Sequence, residues 1–163
     1  MRNMKSSRKI QNLKSARKLQ EPPVRFQKKR RLKGSKAKGL TYERTVGRRL
    51  AKRIEKEQLP AELVSGQWFA FEDSNGYGCC QIDHYLICPG FIIILECKLT
   101  QTDSAEPQLR ELYEPIIREV YKCPVMVIQV CKNLRHHPAH TLLDIREAIY
   151  KPRPEMWTWH FTP

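Results

Sequence analysis

The sequence lacks several features that would each place it in a familiar class. No apolar run approaches the ~20 residues of a membrane span; the longest, residues 91–95, has the length of one buried strand, so no membrane association is expected. Residues 1–20 contain no apolar block of the kind a secretory signal requires. The six cysteines (Cys79, Cys80, Cys88, Cys97, Cys123 and Cys131) sit in or beside apolar runs and do not form a disulfide framework. They are expected to be reduced core thiols of an intracellular protein, in a reducing compartment such as the cytoplasm or a nucleoid. Zinc-finger and zinc-ribbon spacing is missing too. His136, His137 and His140 follow Cys131 without a second Cys or His pair, which favours a loop facing phosphate or solvent over a zinc site. No internal repeat is present, and acids are almost missing from the first 38 residues, where Glu21 stands alone.

What is present is basic charge, unevenly placed. Lys and Arg number 30 against 17 Asp and Glu, a formal net charge of +13. Residues 1–38 carry 15 of the cations and one acid, a net of +14, whereas residues 39–163 are close to neutral at −1. The chain therefore divides into a basic arm, 1–38, and a body, 39–163, long enough for one domain with a real core. The arm has too little apolar surface to offset its ordering entropy and is expected to be disordered until a partner orders it. Under such cover Ile10, Leu13, Ala16 and Leu19, three apart, would form a marginal helix. Its cations Lys28, Lys29, Arg30, Arg31, Lys33, Lys36 and Lys38 suit a polyanion, with affinity that falls as salt rises. Three readings stay open: a nucleic-acid arm, a nuclear or organelle import signal, and a solvated tail.

In the body, Gly39 and Thr41 open an expected helix to about Gln58, stopped by Leu59-Pro60. Its apolar stripe is Val46, Leu50 and Ile54; at ~100° per residue Glu43 lies only about 20° off that stripe. The core-facing stripe thus ends in a carboxylate, while Arg44, Arg48, Arg49, Lys52 and Lys56 occupy the other face. Strands are expected at 63–73, 80–88 and 91–98, and the unbroken run at 91–95 marks a central strand covered on both faces. Ser104 should cap a helix over 105–121, kinked by Pro115. A strand at 125–131, a helix at 141–150 and a terminal edge strand at 156–161 complete the order α-β-β-β-α-β-α-β. Trp157 and Trp159 share one face of that last strand, as packing or as a homodimer contact.

Three ionisable residues interrupt these apolar strands: Asp83 in the second, Glu96 and Lys98 in the third. Glu96 and Lys98, two apart, project from one face. A structural Glu–Lys pair would account for those two, since a lone buried charge is costly, but not for Asp83 or the inward Glu43. A metal site accounts for all four. Asp83 and Glu96 would be hard oxygen ligands for Mg²⁺, which takes one or two carboxylates plus water and phosphate. Lys98 would hold or deprotonate an attacking water, and Glu43 would contact a second metal or its water. His84, pointing away from Asp83, reads as a core or edge histidine; Thr100 and Gln101 lie where the strand leaves the sheet and could touch substrate.

Asp83 followed, after twelve residues, by Glu96-Cys97-Lys98 resembles the D…(D/E)xK signature of the PD-(D/E)xK nuclease superfamily. The segments Gln81-Ile82-Asp83-His84 and 91–98 are particularly similar to its resolvase-like and NERD-like branches, with Ile82 where the motif's name has proline. The resemblance covers about residues 39–131. It implies an α/β, restriction-endonuclease-like fold: an αβββαβ core with a mixed central sheet flanked by helices, the same order that the hydrophobic pattern gives. Glu43 matches the family's acidic residue on the preceding helix. Gln108 resembles a glutamine that several branches place beside the site, though a capping or surface role stays open. The implied activity is hydrolysis of phosphodiester bonds with Mg²⁺, Mn²⁺ being a substitute, usually in DNA. The expected protein is a structure-selective, Holliday-junction-resolvase-like endonuclease of recombination or repair, with RNA not excluded as substrate. The alternative is a non-catalytic nucleic-acid-binding or packaging protein that retains the fold.

Overall fold

The apolar run at 91–95 forms the middle of the molecule. In the computed structural model, which describes residues 8–28 and 31–163, it belongs to a strand with a neighbour on each side and a helical layer on each face. This strand, β4 (Phe91–Thr100), pairs antiparallel with β3 (Gly76–Cys88) and parallel with β5 (Val125–Asn133). The seven-strand mixed sheet runs β1-β2-β3-β4-β5-β7-β6. Its antiparallel half holds β1 (Ser15–Leu19) and β2 (Glu62–Asp73); its parallel half ends in β7 (Trp157–His160) and the two-residue β6 (Thr141–Leu142).

The stripe read from the sequence covers one face. Tyr42, Val46 and Leu50 of α2 (Gly34–Glu57) pack with Leu86, Ile93, Leu95 and Ile128, joined by Ile145 and Ile149 of α5 (Ile145–Tyr150). On the opposite face, Leu109, Leu112, Ile116 and Ile117 pack on Phe69, Ile82, Ile92, Ile94 and Val127. They come from one helical stretch, made of α3 (Ala105–Pro107), a π-helical segment (Gln108–Tyr113) and α4 (Glu114–Tyr121). The α/β class with a mixed sheet flanked by helices is as expected, and so is the order of elements from α2 to β5.

The arm is different. In place of a disordered segment or a marginal helix, residues 15–19 form β1, an edge strand paired in register with Leu19 opposite Trp68 and Ser15 opposite Glu72. Ile10, Leu13 and Ala16 pack against the core beneath α4. The reason is non-local: β2 would otherwise present an open edge, and its backbone supplies the partners that a short, basic segment cannot find in itself. Residues 24–27 form a short helix, α1 (Val24–Gln27), whose Phe26 stacks on Trp68 at 4.8 Å. The next helix begins at Gly34, not Gly39, so Lys36 and Lys38 are helical and the boundary at residue 38 falls inside α2.

Two further expectations are corrected near the C-terminus. Residues 141–142 are strand, which shortens the expected helix and places β6 outside β7. The Trp157/Trp159 strand is therefore interior, and both tryptophans pack with the α2-side core, so it offers no exposed aromatic edge for a homodimer. Ser104 makes no side-chain cap; Asp144 does, accepting from the Arg146 N–H at 2.8 Å.

Candidate functional site

The β2–β3 ribbon changes face at one point, and that point aims Asp83. On β2, Leu63 belongs to the α2-side core and Val64 to the opposite one, yet Phe69 and Phe71 also belong to the opposite one. On β3, Cys80 and Ile82 share a face with Tyr85 and Ile87. Alternation slips by one residue on both strands, between the pairs Ser65–His84 and Gln67–Ile82. Gly66 lies in that gap with φ +65°, a conformation that costs any residue with a Cβ. Past the slip, His84 turns toward α2 while the Asp83 carboxylate turns toward β4 and accepts the Cys97 N–H at 3.0 Å. The β3–β4 pairing stops at His84–Leu95, so Asp83 occupies the opening where the ladder ends, beside Glu96.

Glu96 and Lys98 project from one face of β4, as their spacing implies. Lys98 Nζ donates to Glu96 Oε1 at 2.7 Å and to Gln108 Oε1 at 3.0 Å. Gln108 is buried, not a cap or surface residue, and the π-helical register is what aims it. Gln108 and Tyr113 are five apart, on different faces of an α-helix but neighbours here: Gln108 Nε2 donates to Tyr113 Oη at 2.6 Å, and Tyr113 Oη donates to the Gln81 carbonyl at 3.1 Å. Pro115 sets this register. It has no N–H for the Glu111 carbonyl and crowds it; the Ile10 N–H takes that carbonyl instead, at 2.9 Å.

Glu43 reaches the site from α2, half-buried. Its carbonyl accepts from His84 Nε2 at 2.9 Å, and His84 Nδ1 pairs with the Ser65 hydroxyl at 2.7 Å, a chain that fixes helix to sheet. Burial lowers the His84 pKa, against the opposing pull of the Glu43 carbonyl and the Asp83 charge, so the ring is neutral and Nε2 carries the proton. Gly47 permits the approach: a Cβ there would stand 2.6 Å from His84 Cε1.

Cys97 reports how close the charged groups are. Its thiol is held well above the usual range by burial and then by the charges of Asp83, Glu96 and Glu43, with Lys98 opposing. Tyr113 is raised in the same way by burial, Glu96 and Asp83. The half-buried Cys97 thiol thus stays protonated under the influence of all four charges. Among the described residues no three His, Cys, Asp or Glu side chains group to hold one metal ion. Glu43 and Asp83 line a groove of about 790 Å³ between α2 and the β2–β3 slip, with Arg44 and Arg48 on its wall.

The other residues expected to face a ligand fare differently. Gln101 is buried, its Oε1 accepting the Arg135 and His136 N–H groups, so it pins the histidine loop. Lys28, Arg31, Lys33, Lys36 and Lys38 are exposed; Lys29 and Arg30 lie outside the described residues. Sequence reasoning did not single out Ser65, Gly66 or Tyr113. A glycine inside a strand run was the available signal for the first two, whereas helical periodicity at 3.6 residues hides the Gln108–Tyr113 pair. Comparison with family models, with curated proteins and with solved structures returns no match.

Proposed function

We propose that this protein is a Mg²⁺-dependent nuclease of the PD-(D/E)xK type, with a restriction-endonuclease-like core, that hydrolyses phosphodiester bonds in structured DNA. The observation that carries this reading is the Asp83 carboxylate held on the Cys97 N–H beside the Glu96–Lys98 pair, with Lys98 steadied by Gln108. A structural ion pair would need only Glu96 and Lys98. It would not need a strand slip that opens the ladder for Asp83, nor a π-helical segment that brings a buried amide to the ammonium.

The donor set suits a hard cation. Asp83 and Glu96 offer the one or two carboxylates that Mg²⁺ takes alongside water, and the neighbouring Cys97 thiol stays protonated and is a poor ligand. When bound, Mg²⁺ offsets charge on the phosphoryl group and acidifies a water. Lys98, placed by Glu96 and Gln108, directs its remaining N–H toward the attacking water or the scissile phosphate. Glu43, on the groove side, orients water from the helix, and its position depends on the His84–Ser65 chain.

The test is cleavage of labelled four-way junction, flap, nicked duplex and single strand with Mg²⁺ or chelator. Glu96→Ala should lower cutting by at least about 10²–10³-fold, and calorimetry should show Mg²⁺ binding that Asp83→Ala removes. Wild-type protein that cuts none of these substrates, or Glu96→Ala that cuts as well, overturns the reading. Salt-sensitive DNA binding without metal binding would mark a non-catalytic nucleic-acid-binding or packaging protein.

A further inference from the structure

Four cations of the N-terminal segment already have partners in the body, although only Arg8 among them is shielded from solvent. Arg8 donates to Asp73 Oδ1 at 2.7 Å, Lys9 to Glu111 at 3.1 Å, Lys14 lies 3.6 Å from Glu72, and Lys18 sits over the Tyr121 ring. The outermost cations of α2 do not follow that pattern. Arg44, Arg48, Lys52 and Lys56 recur every four residues, so they form one line along the helix at about 6 Å per step. Tyr42, Val46 and Leu50 hold the opposite face in the core.

We infer that this outer line of α2, and not the N-terminal segment, is the track that holds the phosphate backbone of a nucleic acid and leads it into the groove above Glu43 and Asp83. The inference deepens the nuclease reading and rests on it for the choice of nucleic acid as the polyanion. Three observations support it. Arg44 and Arg48 form one wall of the groove that Glu43 and Asp83 line, so the first half of the track is part of the same site. Several of the body's other long cations are held by acids, among them Arg53 by Glu57 and Asp144, and Arg110 and Arg118 by Glu114. Among the described residues no carboxylate lies within ion-pair distance of Arg44, Arg48 or Lys52, and Arg48 makes only a 3.4 Å contact with Thr45 in its own helix. A helix that lies on an anionic membrane would need an apolar face beside its cations; the apolar face of α2 is buried against the sheet.

The test uses the full chain and labelled duplex and single-stranded DNA, with chelator present so that binding is read without cutting. R44Q/R48Q should reduce the slope of log affinity against log salt by about 2, one unit for each phosphate no longer neutralised. Its melting temperature should match wild type, since both side chains are exposed. K28Q/R31Q/K33Q should reduce the slope by less. An unchanged slope in R44Q/R48Q, or a larger loss in the N-terminal variant, overturns the inference, as does R44Q/R48Q losing affinity for anionic vesicles while holding DNA as well as wild type. A protein that never cuts DNA but loses its slope on R44Q/R48Q would sustain the track and sink the nuclease. Normal cutting with an unchanged slope would do the reverse.

Discussion

Residues 8–18 and the outer face of α2 carry cations at similar density, yet Arg8, Lys9, Lys14 and Lys18 engage acids or a ring of the body, whereas Arg44, Arg48 and Lys52 pair with no described carboxylate. Arg8 shows what the engaged set does. Its guanidinium lies over Phe71, donates to the carbonyls of Gly76 and Tyr77, and meets an Asp73 carboxylate with no exposed surface. The segment is a strap: it closes the edge of β2, covers the Phe69–Phe71 side of the core and takes the carbonyl that Pro115 leaves on Glu111. Among the described residues, Arg44, Arg48 and Lys52 of α2 make no ion pair of this kind. A count of charge along a chain therefore says little about where a polyanion is held; what each cation already touches decides it.

The most severe way to break this comparison is to remove the strap. Deleting residues 1–20 should lower the melting temperature by at least about 10 °C or abolish cooperative unfolding, because it reopens β2 and bares buried aromatic rings. A free basic arm would leave the melting curve where it was, so differential scanning calorimetry separates the two descriptions.

A smaller cut tests the anchor alone. Arg8→Ala should cost about 2 kcal/mol in urea unfolding, as a buried carboxylate loses its charged partner, whereas Arg44→Ala should stay within about 0.5 kcal/mol. The Arg8 effect should depend on pH in a defined direction. Burial by itself would raise the Asp73 carboxyl, but the Gln11 N–H, the Arg8 guanidinium and the Asn75 N–H outweigh it and hold the pKa below the ordinary value. A carboxyl lowered on folding adds stability above its unfolded pKa and loses it as pH falls through the folded one. Wild type and Arg8→Ala should therefore differ at neutral pH and converge as pH drops below about 4. Parallel curves down to that range would remove Asp73 from the account.

The mildest change concerns the slip that aims Asp83. Gly66→Ala places a Cβ at positive φ, about 1–2 kcal/mol of strain, and 3.3 Å from Gln81 Nε2. On the proposed nuclease reading it should reduce cleavage by more than that loss of stability explains, read as lower turnover at a temperature where the variant is still folded. Equal turnover would mean that the slip shapes the ribbon without placing the carboxylate.

Much of the site was legible from the chain. Period-two spacing put Glu96 and Lys98 on one face of an apolar strand, and the helical angle put Glu43 near the core stripe. Both are local rules that packing did not disturb. Gln108 was legible as a residue but not as a partner of Tyr113, because the π-helical register follows from a proline seven residues further on. The arm was misread for a related reason: propensity and composition describe a segment by itself, and β1 exists only because β2 has an edge to fill.

The sequence by itself determined the α/β class, the element order from α2 to β5, and the identity of the residues that interrupt the apolar strands. These depend on hydrophobic period and on the cost of burying charge, and both are read within one element. Only the tertiary structure decided which cations are neutralised, where the sheet ends, and that Asp83 turns toward Glu96 while its neighbour His84 turns to the helix. Those outcomes depend on pairing between segments far apart in the chain, where a single glycine or proline shifts the register of everything around it.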